Sequence, residues 1–421
     1  MTKMTSRERV NMAINHQKPD RIPFDLGSTA CSSIHGVELR RLRAKLGLKD
    51  EISKVIDPMM FISDVPMDVI DALEVDVVAI FPKGTTLGYR NENWKPWTLP
   101  DGSEVLMGGD FVCTIGEDGT RYAYPEGDTS VPPSAKMAKT GLYFDVIVRQ
   151  EDLDAKTEWD ARKDYHDQYG FFTDQDLKDL EEQVEFFWNE TDKALVGNYW
   201  QGGLGDNLHI AAPRLKVTKG IRDLGDWMMA MLLRPEYLKE FFDMQTDYTL
   251  ANLKSYYEVA GNKLCCMIHT GTDFGQQGGL LISRDLYREL YQPFHKKVND
   301  WIKANTEWKT FIHTCGGVFD LIPDILDAGF EMLNPIQVSA AGMDAQRLKD
   351  TYGDKLVFWG GGANPQGALT YGTPEEVYEE TKKNAEILSK GGGFVAATVH
   401  NLQYNVPVDN FMAQLKAFRD V

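Results

Sequence analysis

The sequence predicts an α/β protein: a (βα)8 TIM barrel forming one domain over residues 1–421, with a hairpin-rich insertion near 88–143. Three observations carry that prediction. Short apolar runs alternate with amphipathic segments of roughly 10–20 residues, the pattern of parallel strands joined by right-handed crossover helices. The runs number eight, at 21–27, 75–81, 194–200, 264–269, 309–313, 332–336, 356–359 and 393–399. Eight is the closure number of the barrel and ranks it above an open doubly wound sheet. Between 88 and 143 the alternation gives way to paired turn signals.

The elements follow in order. Thr5 with Glu8 three residues on is a capping box opening a helix through His16. Residues 21–27 form the first strand, 28–33 a small polar loop and 38–46 a helix. The valine-rich run 75–81 reads as a buried strand ending at Pro82-Lys83-Gly84. In the insertion, Asp101-Gly102, Gly108-Gly109, Asp118-Gly119 and Glu126-Gly127 separate short alternating segments. Trp94 and Trp97 there either cover a site or pack among themselves. The charged segment 150–169 is expected to be a surface connection. Helices are expected at 174–189, 224–233, 235–259, 284–304, 318–326, 345–352 and 374–388.

Composition narrows the function. Lys and Arg number 45 against 63 Asp and Glu, a net charge of −18, which disfavours nucleic acid and anionic membrane surfaces as partners. No run of 18 apolar residues occurs, and the amino terminus is too charged for a signal peptide, so a cytoplasmic location is expected. Five cysteines at irregular spacing do not form a disulfide framework, and reduced thiols are expected.

In a barrel the chemistry lies at the carboxyl ends of the strands. Those ends carry Asp25, Tyr199 and Trp200, His269 and Asp273, His313 and Cys315, Asn334 and Gln337, Trp359, and His400 with Asn401. His313 and Cys315 are two apart on a strand, hence on one face, and offer an imidazole and a thiol to one metal ion. With His400 they make a three-ligand zinc site; the alternative is a hydrogen-bonded core histidine beside a buried cysteine, with His400 bonding a loop carbonyl or substrate. Asp273 then orients a ligand imidazole or touches substrate. The glycine triplets at 360–362 and 391–393 are tight turns matching no nucleotide-binding pattern, and the chain has no GxSxG, HExxH or CxxC.

The segments 21–27, 28–36, 313–316, 334–337, 358–361 and 400–403 with Val406-Pro407 resemble the uroporphyrinogen decarboxylase superfamily, and within it the corrinoid-dependent methyltransferase branch. That branch holds O-demethylases and methylcobalamin:coenzyme M methyltransferases. The resemblance implies a (βα)8 barrel with zinc held by His-x-Cys and a later cysteine near the last strand. His313 and Cys315 match the pair, whereas Val399 stands at the later cysteine position with His400 beside it. A nitrogen-rich site of that kind suits polarising an ether oxygen rather than activating a thiol. The arginine-rich segment of the true decarboxylases is replaced here by Asp25-Leu26-Gly27-Ser28-Thr29-Ala30, which removes the clamp for a polycarboxylate.

The resemblance therefore implies transfer of a methyl group from a small methylated donor, such as an aromatic methyl ether, to a corrinoid. No Asp-x-His-x-x-Gly motif occurs, so the corrinoid is expected on a separate protein. Zinc at His313, Cys315 and His400 would stabilise the leaving oxygen, Asp273 or a bound water would supply the proton, and Tyr199, Trp200, Phe274 and Trp359 would frame the ring. Asn334, Gln337 and Asn401 are the expected polar substrate contacts. Two other readings stand beside this one: a uroporphyrinogen decarboxylase-type lyase, and a barrel that binds a small molecule without turnover.

Overall fold

The computed structural model describes residues 4–154 and 156–421. Seven strands form one parallel sheet: β1 (Val77–Ile80), β2 (Ala194–Asn198), β3 (Leu264–Thr270), β4 (Lys309–His313), β5 (Met332–Asn334), β6 (Val357–Gly361) and β7 (Phe394–Ala397). They lie side by side in sequence order, every pairing parallel. All residues of β2, β6 and β7 are buried, which is why they read as continuous apolar runs rather than as alternations.

The predicted first strand, 21–27, is reduced to a single bridge at Phe24, and that bridge joins the two edges of the sheet. On the β7 side Ala396 N donates to Pro23 O at 2.9 Å and Asp25 N to Ala396 O at 2.8 Å. On the β1 side Asp76 N donates to Phe24 O at 2.8 Å. Pro23 has no N–H, and the Phe24 N–H goes to the Asp76 carboxylate at 2.9 Å instead of to a ladder carbonyl. Asp76 is fully buried and held by Arg9 and Arg21, each at 2.6 Å. An ion-paired carboxylate thus takes the place of strand pairing at the seam.

Capping boxes stand at Thr5/Glu8, Thr173/Asp176 and Thr373/Glu376, starting the helices Ser6–Ile14, Asp174–Glu190 and Pro374–Leu388. The helix expected over 284–304 is broken at Tyr291 into Arg284–Leu290 and Gln292–Asn305. Pro293 in the first turn of the second piece has no N–H and its ring would collide with a preceding turn. Pro323 acts similarly within 318–326, where a 3-10 turn, Phe319–Leu321, precedes the helix Ile322–Asp327.

Segment 150–169 is more than a surface connection. Tyr165, Gln168 and Tyr169 are buried, with the Tyr165 ring 4.0 Å from that of Phe241. Charged neighbours in sequence hide these inward residues from a composition argument.

The insertion is built of hairpins: Lys95–Thr98 with Glu104–Met107, then an antiparallel sheet of Cys113–Ile115, Arg121–Ala123, Ala135–Met137 and Asp145–Val146. It packs around its own cluster of Phe61, Tyr89, Met107, Phe111 and Phe144. Trp97 joins that cluster, 5.4 Å from Phe61, while Trp94 faces the main cavity. Among the described residues no helix is long and apolar enough to cross a membrane.

Candidate functional site

Strand β4 ends on His313, in register with Asn334 of β5. The chain then turns sharply through Gly316, whose φ is +89° and where a Cβ would lie 2.3 Å from the Gly275 carbonyl carbon. Only glycine fits there. The turn is held by its neighbours on both sides: Cys315 N donates to Asp273 Oδ1 at 2.7 Å, Gly316 N to Gln337 Oε1 at 2.8 Å, and Phe274 N to Thr314 Oγ1 at 2.8 Å.

His313 is almost fully buried, with Nδ1 2.6 Å from Asn334 Oδ1. Asn334 donates its amide N–H to Trp359 O at 3.1 Å, which turns its oxygen toward the imidazole. The proton of His313 is thereby placed on Nδ1, and Nε2 carries the lone pair. Nε2 lies 3.3 Å from Cys315 Sγ, 3.5 Å from Cys31 Sγ and 3.8 Å from Asp273 Oδ1. Two overlapping ligand groups result, Cys31 with His313 and His400, and Asp273 with His313 and Cys315, the ligand atoms within each group lying within 4.8 Å of one another.

Cys31 comes from the loop after the barrel seam, on a 3-10 turn, Ala30–Ser32, capped by Thr29. That loop is anchored by Asp25, whose Oδ1 accepts from Ser28 N at 2.9 Å. His400 lies beside the His313 ring, 5.5 Å between centroids, and its Nδ1 bonds Asn401 Oδ1.

Burial and a neighbouring carboxylate set the electrostatics of the cluster. Burial pushes the Cys31 and Cys315 thiols up, and the Asp273 carboxylate adds to the effect on both. Burial, then the neighbouring His313, lowers His400 to about 4. A cation among these groups reverses the thiol balance, because thiolate is the ligating form. Two sulfurs, two imidazoles and a carboxylate suit zinc, and a His313 whose Nε2 lone pair is free of its proton is already in the ligating tautomer.

The cluster forms part of the wall of a cavity of about 700 Å³ that also touches Tyr169, Phe172, Tyr199, Trp200 and Trp94. Of the residues expected from sequence, Tyr199, Trp200, Asp273, His313 and His400 reach this wall. Cys315 stands behind His313. Five expected substrate contacts do not reach the wall. Phe274 is buried against Tyr287 and Tyr291, at 5.1 and 5.0 Å. Trp359 is wholly buried, 5.0 Å from Phe311, and donates to Asp25 Oδ2 at 2.7 Å. Asn334, Gln337 and Asn401 hold His313, the Gly316 turn and His400 respectively. The reason is general: barrel interiors are filled by layers of strand side chains, so a strand-end position is as often a support as a surface. His269 is a packing residue, stacked on Phe330 and bonded to Asn299 at 2.8 Å.

Cys31 was missed in the sequence because it stands alone in a polar loop; its one signal is that the loop follows a barrel strand. It brings a second thiol beside His313, in a ligand group with His400 that is separate from the group of Cys315 with Asp273.

Residues 215–421 match the uroporphyrinogen decarboxylase (URO-D) family profile. A methyltransferase from Methanosarcina mazei has a similar fold, with a TM-score of 0.55 and 14% identity over 99% of both chains. ZgEngAGH5_4 overlaps with a TM-score of only 0.37 and 13% identity over 61% of this chain and 81% of that one, a likeness too low to carry an argument. No curated protein matches the sequence. Over residues 215–421, just under half of the chain, the sequence is thus similar to the uroporphyrinogen decarboxylase family.

Proposed function

We propose that this protein is a methyltransferase that takes a methyl group from a small methylated donor, an aromatic methyl ether in the first instance, and passes it to a corrinoid carried by a separate protein. The observation that carries this reading is the convergence on His313 Nε2 of the Cys31 and Cys315 thiols, at 3.5 and 3.3 Å, beside an aromatic-lined cavity. Zinc held by His313 with Cys31 and His400, or by His313 with Cys315 and Asp273, would act as a Lewis acid toward the oxygen that loses the methyl group.

The chain's own residues do the rest. Tyr199, Trp200 and Phe172 offer aromatic surface to the ring of the donor. Trp200 meets His313 edge to face at 6.2 Å, which keeps the ring beside the ligand cluster. As the methyl leaves, the donor oxygen takes up a proton from water, and Asp273, half exposed at the cavity wall, is placed to hold that water. The chain has no Asp-x-His-x-x-Gly motif, in keeping with a corrinoid that arrives on a partner.

A second reading is favoured by the thiols beside His313: a sulfur-bearing ligand group also suits a small thiol as the methyl acceptor. Protein prepared with zinc is to be measured for metal, as wild type and as Cys31→Ala and Cys315→Ala, and then assayed both with a methoxyarene plus reduced corrinoid protein and with methylcobalamin plus a thiol. About one zinc per chain, lost in one of the two variants, with activity in the first assay is the expected result. Activity only in the second selects the thiol reading. Metal-free wild type would remove the zinc-assisted mechanism.

A further inference from the structure

Away from the ligand cluster, the same cavity contains a cation with no partner. Arg214 lines the wall, and among the described residues its guanidinium makes no hydrogen bond or ion pair. Of the other enclosed arginines, Arg9 is satisfied by Asp20 and Asp76 and Arg222 by Gln168 and backbone carbonyls, while Arg149 donates through Nη2 to the Ala212 carbonyl and leaves Nε and Nη1 without a partner. The nearby acid Glu126 is engaged by Lys216 at 3.0 Å. Enclosure lowers the Arg214 pKa, and the nearby Tyr169, Tyr199 and Glu126 offset only part of that effect. Arg214 is half-buried, and a charge enclosed in this way is destabilised unless something pairs with it.

The position is built rather than loose. Ala212, in left-handed conformation at φ 48°, ends the helix Asn207–Ala211, and Pro213 follows it. The Ala212 carbonyl accepts from Arg149 Nη2 at 2.9 Å and from Leu215 N at 3.1 Å. On the other side Arg214 Cβ lies 3.3 Å from where a Cβ on Gly88 would be, so the insertion's first turn packs directly on it. Two phenols share the wall. Tyr169 Oη accepts from Gln168 Nε2 at 3.2 Å and Tyr199 Oη from Asn252 Nδ2 at 2.9 Å. Tyr169 keeps its own O–H free to donate, whereas Tyr199 also bonds Thr249.

We infer that Arg214 is the anchor for a carboxylate on the methyl donor, with the phenol of Tyr169 as an accompanying donor, so that the substrate is a methylated compound carrying one negative charge. This rests on the methyl-transfer reading and deepens it. A guanidinium presents a planar fork that a carboxylate fills with two parallel hydrogen bonds. A single charge suits the site, because Asp57, Asp64, Asp206 and Asp273 line the same cavity and disfavour a more highly charged ligand. The polycarboxylate of porphyrinogen chemistry is excluded on the same ground.

The test is equilibrium binding, read without turnover, of 4-methoxybenzoate and its uncharged isostere 4-methoxybenzamide to wild type, Arg214→Gln and Arg214→Lys. Wild type is expected to prefer the benzoate by about tenfold or more, Arg214→Gln to bind both alike, and Arg214→Lys to fall between them. Thermal melting of the ligand-free proteins controls for folding: a ligand anchor predicts that Arg214→Gln melts no lower than wild type, and that benzoate raises the melting temperature of wild type alone. Equal affinity of wild type for the two compounds, or a benzoate preference that survives in Arg214→Gln, overturns the assignment. Arg214-dependent binding without methyl transfer leaves the anchor standing and defeats the methyltransferase reading. Methyl transfer from the benzoate with kcat/KM unchanged in Arg214→Gln does the reverse.

Discussion

Asn334 holds His313 in one tautomer: its Oδ1 lies 2.6 Å from Nδ1, and its amide is committed to the Trp359 carbonyl at 3.1 Å. The imidazole therefore presents an unprotonated Nε2 to the two thiols without any reorganisation when a metal arrives. Outer partners of this kind typically change metal affinity by about 10–100-fold when removed. Asn334→Ala is expected to weaken zinc binding by a factor in that range, measured by competition with a chromophoric chelator, while the protein stays folded. Unchanged affinity would show that the tautomer is set by something else.

One of Cys31 and Cys315 is expected to hold zinc with His313, although 282 residues separate Cys31 from His313 in sequence. Cys31→Ser should reduce zinc stoichiometry at micromolar free metal where the group with His400 holds the ion, and Cys315→Ser where the group with Asp273 does. Cys265→Ser, at a half-buried position in β3, should leave it unchanged. Elemental analysis after dialysis reads all three. Retention of zinc in Cys31→Ser alone would assign the ion to His313, Cys315 and Asp273, and retention in both would remove both groups.

Trp359 is a core residue whose indole supports the barrel seam through Asp25, at 2.7 Å. Burial raises the pKa of Asp25, and the indole N–H is one of the hydrogen bonds that offset the effect. Trp359→Phe removes that bond and leaves a void, so a loss of about 2–4 kcal/mol in urea unfolding is expected. Affinity for a bound aromatic ligand should change little. A large loss of affinity with unchanged stability would place Trp359 on the cavity wall after all.

Acid should destabilise the protein in a defined window. His35 is fully buried, and its Nδ1 accepts from Val37 N at 3.2 Å at the start of the helix Gly36–Lys45. Burial lowers its pKa from 6.5 to about 4. Because the folded value lies below the unfolded one, the contribution is fully present above 6.5 and is lost as pH falls toward 4, where it levels off. The loss from this residue is of order 3 kcal/mol at most. His269 and His400, each lowered by burial to about 4, act in the same direction. Stability of His35→Gln, measured against pH, should fall less steeply between 6.5 and 4 than that of wild type. An identical slope would assign the acid sensitivity to the other histidines.

The sequence by itself determined what depends on near neighbours along the chain. Period and burial mark seven of the barrel strands within a few residues, because a strand covered on both faces must be apolar throughout. Thr5, Thr173 and Thr373 mark helix starts because a capping box needs only residues three apart. The pair His313 and Cys315 was legible for the same reason. Tertiary structure decided the rest. The eighth strand shrank to Phe24 because the distant Asp76 took its N–H. Trp359 and Phe274 turned inward because the barrel fills its interior with strand side chains. Cys31, which lies beside His313 in a candidate ligand group, and Arg214, which lines the same cavity, carry no local pattern. They come together with His313 only when the barrel closes, since closure is a property of pairing between edges far apart in sequence.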